Sequence, residues 1–272
     1  MIDSVTASSM VAFSGRRTWT HEAAERYLRA QGLPAHVIEM LIDSARLQAG
    51  HDGQVLAHGA EWIHILIRGV VKETTPHGTT RLWAKGAIFG DLNQVMLRPG
   101  AGEASGRRPL KAGSRLTFLT TGATLSLTVT TLARLIDGDP ALVLFLAQRT
   151  QDRSLIVESV YSASKADPAV RVARLLNYLV RRRGLRQDGE LSRIRMTRTG
   201  VHGVPDGALT VTGPSQADIA EALGLGRTTV EKAIASLRSQ DILSTLEPGT
   251  RSNRYYEIRD ARLLRSLARS DG

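Results

Sequence analysis

Apolar residues recur every three or four positions along two stretches near the beginning of the chain, and this spacing is typical of amphipathic helices. We expect one helix over residues 21–31 and a second over residues 34–47. Thr20 is a candidate N-cap for the first helix, and Gly32 interrupts the pattern after it. Pro34 suits the first turn of the second helix, because a proline there loses no hydrogen bond.

The pattern then changes to short runs rich in Val, Ile, Leu and Trp, which glycines separate from one another. Runs of this kind predict β-strands, and they cover residues 54–58, 62–67, 70–74, 80–84, 115–119 and 124–129. A polar loop over residues 99–113 interrupts the series. Many short strands with regular glycine turns favour an antiparallel sandwich or barrel.

A long helix is predicted after the strands, from Asp139 and Pro140 to about Ser164. Its apolar residues form a narrow seam, which consists of Leu142, Phe145, Leu146, Ile156, Val160 and Ala163. Because the helix is too long for one small domain to cover, we expect this seam to pair with a second copy of the chain. The alternative is a helix that packs on its own sandwich.

A further helix is predicted from Asp167 and Pro168 onward, with an apolar stripe along one face. Arginines at 181–183, followed by Gly184, are typical of a helix end. Residues 187–213 are polar and contain glycines, so they predict a loop or a hairpin.

The most specific pattern in the chain is the segment SQADIAEALGLGRTTVEKAIASLRSQDIL, residues 215–243. Ser215 can cap a first helix, and Gly224 permits a tight turn after it. A second helix then follows over residues 227–239, with apolar residues at inward spacing. Together these features predict a helix-turn-helix, whereas an ordinary helical hairpin is the alternative.

The second helix of this motif would present its first turns to DNA. A recognition helix points its N-terminal residues at base edges, where arginine and threonine make specific contacts. The first helix of such a motif begins close to the phosphate backbone. The candidate DNA-binding residues are Arg227, Thr228, Thr229 and Lys232 on the second helix, and Ser215 and Gln216 at the start of the first.

A β-hairpin wing is predicted directly after the motif, from two apolar runs at 242–246 and 254–258 around Pro248 and Gly249. Arg251 and Arg254 lie where such a wing would touch the DNA backbone, and simple solvation is the alternative for them.

The charge is concentrated at the same end of the chain. The formal net charge is +10, and residues 168–272 carry 18 basic and 11 acidic side chains against 18 and 15 in residues 1–167. A basic part of this kind can meet nucleic acid or an acidic surface, although an arginine-rich soluble surface has the same composition.

Composition also excludes several classes of site. The chain has no cysteine, which rules out disulfides, iron–sulfur clusters and thiolate zinc sites. No apolar run approaches the roughly 20 residues of a membrane-spanning helix, and residues 1–14 lack the pattern of a secretory signal. We therefore expect a cytoplasmic protein without membrane contact.

The order of sandwich, long helix and winged helix-turn-helix resembles the Crp/Fnr family of bacterial transcription regulators over about residues 33–260. The matching stretches are residues 53–72, residues 85–92 (KGAIFGDL) and, most specifically, residues 215–243. The resemblance implies an α+β fold with an N-terminal β-roll or jelly-roll sensor domain. It also implies homodimerisation through the long helix at 139–164 and binding to a near-palindromic site in double-stranded DNA.

On this resemblance we expect four segments. They are a flexible tail at residues 1–20, a cyclic-nucleotide-binding-like β-roll with N-terminal helices at 21–134, a long dimerisation helix at 135–166, and a winged helix-turn-helix at 167–272. RNA polymerase is a further candidate partner.

The resemblance extends to single positions of the recognition helix. Arg227, Thr229 and Lys232 match the family's positions, whereas Thr228 stands where many members carry a base-reading glutamate. We therefore expect a departure from the usual family operator at the base pair that the glutamate would read.

The resemblance is weaker at the effector site. Members that bind a cyclic nucleotide hold its ribose with a Gly-Glu pair and its phosphate with a downstream Arg-Ser/Thr pair. Here Gly90 and Asp91 replace the first pair, and Arg107 and Arg108 lie near the place of the second, but Pro109 follows them. An ordinary cAMP site therefore looks degenerate, and a cyclic nucleotide stays a candidate effector only.

The leading hypothesis is a homodimeric DNA-binding transcription regulator that is not an enzyme. The alternative is a ligand-responsive regulator that binds a cyclic nucleotide or another small molecule in the β-roll. An enzyme with an accessory DNA-binding part has no nucleophile, metal or acid–base set in the sequence to support it. Histidines at 51, 58, 64 and 77 are scattered over strands and turns, so we expect them on the surface or in turns and expect no metal site.

Overall fold

The computed structural model of the chain describes residues 19–56, 59, 61–92, 95, 114–162, 165–182, 194–197, 200–203, 209–244 and 254–270. The predicted tail at 1–20 lies almost entirely outside these residues.

Helices flank the strands on both sides along the chain. The α-helices of the described residues are α1 (Trp19–Ala30), α2 (Ala35–Ser44), α3 (Val129–Gly138), α4 (Pro140–Ile156), α5 (Pro168–Arg182), α6 (Gln216–Leu223), α7 (Arg227–Ser239) and α8 (Ala261–Arg269). The strands are β1 (Arg46–Gly50), β2 (Val55–Leu56), β3 (Trp62–Arg68), β4 (Val70–Thr74), β5 (Thr80–Ala84), β6 (Ile88–Phe89), β7 (Arg115–Phe118), β8 (Gly122–Thr128), β9 (Ile194–Thr197), β10 (Gly200–Gly203), β11 (Leu209–Thr212) and β12 (Tyr255–Ile258).

The predicted antiparallel sandwich is present as two four-stranded sheets. The first has the strand order β1-β8-β3-β6 and the second the order β2-β7-β4-β5, and neighbouring strands in both are antiparallel. All six predicted runs contain strands, and the described part of the first run contains the two-residue strand β2. The structure thereby confirms an α+β fold with an N-terminal β-roll.

Two helix boundaries differ from the prediction, and one helix was not predicted. Thr20 was expected to cap α1 but lies inside it and is buried. The second helix ends at Ser44, not near Leu47, because the chain there turns into β1, where Leu47 pairs with Leu125. Helix α3 was missed, and Thr128 caps it by accepting a hydrogen bond from the backbone of Thr131 at 3.1 Å.

The first sheet packs against the helices on one side and forms the first hydrophobic core. Ile63, Ile65 and Leu127 project from its strands into this core, where they are at most 1% exposed. Helices α1 to α4 cover them with apolar residues such as Leu41 and Leu132.

The long helix is present but is not one uniform helix. Its α-helical part ends at Ile156, and a single π-helical turn, Val157–Tyr161, continues it. Asp139 caps it as predicted, accepting a hydrogen bond from the backbone of Ala141 at 2.8 Å. Ala163 and Ser164 lie outside the described residues.

The predicted pairing seam of this helix lies inside the subunit. Leu142, Phe145 and Leu146 are at most 3% exposed and belong to the first core, and Val160 is buried in a second one. Because the described seam residues pack within their own chain, they are not available to pair with a second copy, which corrects the prediction. The large apolar residues of the helix that are exposed are Leu144, 71% exposed, and Leu155, 52% exposed.

The second core joins the β-roll to the C-terminal unit. Leu82 and Val71 of the second sheet belong to it together with Leu176 of α5, Ile219 of α6 and Ile234 of α7. Since the described residues on both sides of this boundary share one apolar cluster, the C-terminal unit has a defined position on the sheet.

Two tyrosines complete this contact at the free edge of β5. The hydroxyl of Tyr161 accepts a hydrogen bond from the amide of Leu82 at 2.8 Å and donates to its carbonyl oxygen at 2.6 Å. The hydroxyl of Tyr178 accepts a hydrogen bond from the amide of Ala84 at 2.9 Å. Backbone groups at a sheet edge need partners when they are buried, and here the neighbouring unit supplies them. Burial raises the pKa of Tyr161 well above its ordinary value, so the hydroxyl stays protonated.

The C-terminal unit is a winged helix-turn-helix whose wing differs from the prediction. β12 pairs with β11, a strand from the segment expected to be a loop or hairpin, and β9 and β10 form a hairpin in that segment. The predicted partner run contributes an isolated bridge between Leu243 and Ile258 and a hydrogen bond from the amide of Ser244 to the carbonyl of Glu257. Residues 245–253 lie outside the described residues.

Within the described part of the chain, no helix has the length and apolar character needed to cross a membrane.

Candidate DNA-binding surface and sensor interior

The two helices of the predicted motif meet at a turn that only a left-handed residue completes. Helix α6 ends at Leu223, and Gly224 then adopts φ 60° and ψ 38°. The amide of Leu225 donates to the carbonyl of Ala220 at 2.9 Å, which closes the turn. Arg171 of α5 donates to the carbonyl of Leu223 and ties the helix end to the rest of the unit.

Helix α7 is divided into a buried face and a face that projects outward. Its buried residues are Val230, Ala233, Ile234 and Leu237. Arg227, Thr228 and Lys232 are exposed, and Thr229 is half-buried between the two faces. The structure therefore brings the predicted base-reading residues together on one solvent-facing surface.

Arg227 is held loosely at the start of this surface. Its guanidinium donates from Nε to Oε1 of Glu231 at 3.0 Å, one helical turn along, and its side chain is 65% exposed. An exposed ion pair of this spacing stabilises a helix by only about 0.3–0.5 kcal/mol, so the guanidinium of Arg227 can exchange Glu231 for another acceptor at little cost.

Ser215 caps α6 as the sequence predicts, and the cap includes the carboxylate of Asp218. The hydroxyl of Ser215 accepts a hydrogen bond from the amide of Asp218 and donates to its carboxylate at 2.6 Å, while the amide of Ser215 donates to the same carboxylate. This capping box already engages the Ser215 hydroxyl that was expected to reach a phosphate. Gln216 is half-buried beside it.

The same carboxylate also binds the sensor sheet. Nζ of Lys72 on β4 lies 2.9 Å from Oδ1 of Asp218 and 3.5 Å from Oε2 of Glu221, and the hydroxyl of Thr80 on β5 donates to Glu221 at 2.6 Å. Partial burial opposes the charge of Lys72, but the hydrogen bond and charge of Asp218 outweigh it and raise the pKa of Lys72. Burial likewise opposes the charge of Asp218, yet hydrogen bonds from Ser215 and Lys72 lower its pKa overall. Both groups are therefore charged at neutral pH.

The wing residue Arg254 is exposed, as expected of a backbone contact, but it has a partner within the chain. Its Nη1 lies 2.7 Å from Oδ2 of Asp52, in the turn between β1 and β2. Arg251 lies outside the described residues.

The predicted effector residues are only partly described. Gly90 follows β6 with φ 113°, and a Cβ there would lie 2.5 Å from the carbonyl oxygen of Trp62, so no other residue fits without a shift. Asp91 is half-buried next to it. Arg107 and Arg108 lie outside the described residues.

The interior of the β-roll contains a charged network that the sequence did not reveal. Nη2 of Arg153, on α4, donates to both carboxylate oxygens of Glu73 at 2.9 and 2.8 Å, and its Nη1 donates to the carbonyl of Ile88 at 2.8 Å. The indole of Trp83 donates to Glu73 at 2.7 Å, and its ring centroid lies 4.3 Å from the guanidinium. The sequence did contain one signal for this network. Side chains alternate between the two faces of a strand, so Glu73 lies on the same inward face of β4 as Val71, two positions before it.

The described histidines lie in different surroundings. His64 is buried in β3, where its Nδ1 lies 2.7 Å from the hydroxyl of Ser126, so its expected surface position is wrong. His51 and His77 are exposed, and His58 lies outside the described residues. No group of three metal-binding side chains occurs among the residues that the structure describes.

Comparisons with known proteins support the fold through structure alone. No protein-family model matches the chain, and no curated protein sequence matches it. A provisionally assigned cAMP-binding regulatory protein from Silicibacter pomeroyi matches at a TM-score of 0.54 and 22% identity, over 92% of this chain and 100% of that one. A CRP-family transcriptional regulator from Thermus thermophilus matches at a TM-score of 0.51 and 18% identity, over 82% of this chain and 97% of that one. FixK2 from Bradyrhizobium japonicum matches at a TM-score of 0.51 and 18% identity, over 84% of this chain and 99% of that one.

These similarities define the class of architecture. The chain has the fold of the Crp/Fnr transcription regulators, with a β-roll, a long helix and a winged helix-turn-helix.

The turn of the motif yields a test with a matched control. Gly224→Ala should lower the free energy of unfolding by about 1–2 kcal/mol, because alanine is strained at a left-handed position. Gly138→Ala should leave it unchanged or raise it, because Gly138 ends α3 at ordinary φ. A Cβ has open space at both glycines, so only backbone conformation differs between them. Urea unfolding measures both values, and equal effects of the two substitutions would contradict the assignment of the turn.

Proposed function

We propose that this protein is a transcription regulator that binds double-stranded DNA through α7 and acts as a binding protein, not as an enzyme. The observation that carries the proposal is the division of α7 into a fully packed inner face and an outer face with Arg227, Thr228 and Lys232 exposed at its beginning. A helix with this division, held by a partner helix at a tight turn, suits the major groove. The formal net charge of +10 favours association with a polyanion.

The proposal assigns a DNA contact or a supporting role to each of these candidate residues. Arg227 would donate to a guanine, Thr228 and Thr229 would contact a base or a phosphate, and Lys232 would contact a base or the backbone. Gln216 would reach a phosphate from the start of α6. Ser215 contributes through the capping box, which orders the amides at that helix start.

Substitution of Arg227 tests the proposal. Arg227→Ala should weaken binding to the preferred duplex by about 1–3 kcal/mol and relax the preference at one base pair. Arg262→Ala is the matched control, because Arg262 is an exposed arginine of the same unit on α8. Fluorescence anisotropy with labelled duplexes measures both. Equal losses for the two variants would indicate that Arg227 contributes charge and reads no base.

We further propose that the protein is a homodimer that pairs through the outer face of α4. Leu144 and Leu155 are eleven positions apart, about three turns, so they lie on one side of the helix. None of the exposed residues of α4 is charged. These exposed residues are Pro140, Leu144, Ala147, Gln148, Thr150, Gln151, Ser154 and Leu155. An uncharged face with exposed leucines, in a chain of which 23% is charged, fits a second copy of the same helix. The pairing residues therefore differ from those that the sequence predicted.

Charge introduced on this face should separate the subunits. Leu144→Glu and Leu155→Glu should each shift sedimentation equilibrium from dimer towards monomer, because a carboxylate would lose its water at the interface. Leu263→Glu, at an exposed leucine of α8, should leave the dimer intact. A monomeric unaltered protein at micromolar concentration would contradict the proposal, as would dimeric Leu144→Glu and Leu155→Glu proteins.

We propose that the β-roll does not bind a cyclic nucleotide in the ordinary way. Among the described residues, Arg153 reaches this interior, where it is paired with both carboxylate oxygens of Glu73 and also donates to the carbonyl of Ile88. A phosphate would have to compete with Glu73 for this guanidinium. Asp91 is a methylene shorter than the glutamate of the ordinary ribose contact.

Isothermal titration with cAMP should therefore show no saturable heat, and excess cAMP should leave the melting temperature unchanged. Saturable binding at micromolar concentration would contradict this and would favour the ligand-responsive alternative.

A further inference from the structure

The contact between Asp52 and Arg254 joins the turn between β1 and β2 to the residue directly before β12 of the wing. The two residues are 202 positions apart, and their side chains meet at 2.7 Å. Their side chains are 54% and 49% exposed, so both groups are open to a third partner. No other contact in the described residues pairs a sensor carboxylate with a residue proposed for the DNA backbone.

The position of Asp52 is fixed by backbone hydrogen bonds. Gly53 has φ 80°, and its amide donates to the carbonyl of Phe118 on β7 at 2.8 Å. The amide of Gln54 donates to the carbonyl of His51 at 3.0 Å, and the amide of Phe118 donates back to the carbonyl of Gln54 at 2.9 Å. The turn that carries Asp52 is therefore fastened to β7 of the second sheet directly after Asp52, and before Asp52 it continues from β1, which pairs with β8 of the first sheet.

Arg254 is fixed from the other side. Its carbonyl oxygen accepts a hydrogen bond from the amide of Gly213 at 3.0 Å, directly before β12 pairs with β11. Gly213 itself packs against the turn between β7 and β8, where a Cβ would lie 2.6 Å from the carbonyl oxygen of Leu119. The base of the wing is thus seated on the same sheet that holds the Asp52 turn.

A second polar contact keeps this arrangement from opening. Lys72 and Thr80 hold Asp218 and Glu221 of α6, and the second core lies beneath them. Since the C-terminal unit shares apolar surface with the sheet, this packing holds the Asp52 turn and Arg254 side by side in this structure.

We propose that Asp52 is a built-in competitor of DNA, whose carboxylate occupies the position of a backbone phosphate on Arg254. Carboxylate and phosphate oxygens are the acceptors that a guanidinium binds best, and both present negative oxygens at hydrogen-bond distance. A phosphate that reaches Arg254 must displace Asp52 and also approach its negative charge. The sensor sheet therefore lowers DNA affinity directly, through the wing. This inference rests on the proposed function.

Neutralisation of Asp52 tests the inference in a direction that misfolding cannot mimic. Asp52→Asn should bind the preferred duplex about two- to fivefold more tightly than the unaltered protein, a range set by the modest strength of exposed ion pairs. The gain should shrink as salt is added, because exposed charges are screened. Asp43→Asn is the matched control, since it removes one exposed carboxylate from α2 and changes the net charge equally.

The same substitution in an Arg254→Ala background isolates the pair. There the gain from Asp52→Asn should fall to that of Asp43→Asn, because no guanidinium remains for the two anions to share. Anisotropy titrations of the full-length proteins at one ionic strength give all the affinities.

Each outcome of these titrations is decisive. A gain specific to Asp52 that depends on Arg254 supports the inference. Binding of DNA by the unaltered protein without that gain, or a gain that persists fully with Arg254→Ala, contradicts the inference and leaves the proposed function standing. Failure of the unaltered protein to bind any duplex at low salt contradicts both.

Discussion

The second sheet of the β-roll is covered on both faces, and the arrangement of the C-terminal unit depends on that burial. Val71 and Trp83 face the interior of the roll, whereas Leu82 meets α5 and α6 in the shared core. Tyr161 and Tyr178 satisfy the edge of β5 from the same side. Burial of apolar surface at about 25 cal/mol per Å² drives such a contact, and satisfied edge amides remove the cost that would oppose it. The motif is consequently held with the beginning of α7 directed outward and the wing beside Asp52.

The same constraint connects the three surfaces on which the proposed function depends. One face of α7 is packed in the second core, which leaves the proposed recognition face exposed to solvent. The apolar seam of α4 is likewise buried in the two cores of its own chain, which leaves the outer face of α4 exposed. The interior of the roll is engaged by Arg153 and Glu73, which link α4 to the sheet. Under the proposed function, a change in the roll would have two routes to DNA, along α4 to a second subunit and directly through Asp52 to the wing.

Local signals were enough to predict much of this fold. The inward spacing of apolar residues and the turn glycine at 224 defined α6 and α7, because helix period and left-handed turns are set within a few residues. Strands β3 to β5 followed from β-branched runs between glycines. The exposure of Arg227, Thr228 and Lys232 followed from the same helical period.

Features that depend on distant partners could not be read in this way. The sequence predicts helix as far as Leu47, although Arg46 and Leu47 begin β1, because the strand character of β1 depends on pairing with β8. The seam of α4 was assigned to a second subunit because its spacing does not say which surface it meets. The cap by Ser215 is predictable from its position, but that position does not show that the cap engages the hydroxyl expected to reach a phosphate. The contact between Arg254 and Asp52 joins residues 202 positions apart, and no local pattern in the sequence indicates it.

Selection of duplexes from a randomised library tests the central claim most directly, because the operator need not be identified beforehand. A dimer that reads DNA with two α7 helices should enrich near-palindromic sequences whose half-sites are about 10 base pairs apart from centre to centre. The protein with both Arg227→Ala and Lys232→Ala should lose this enrichment. Absence of any enriched sequence at low salt, or the same enriched sequence for the doubly substituted protein, would contradict the claim that α7 reads DNA.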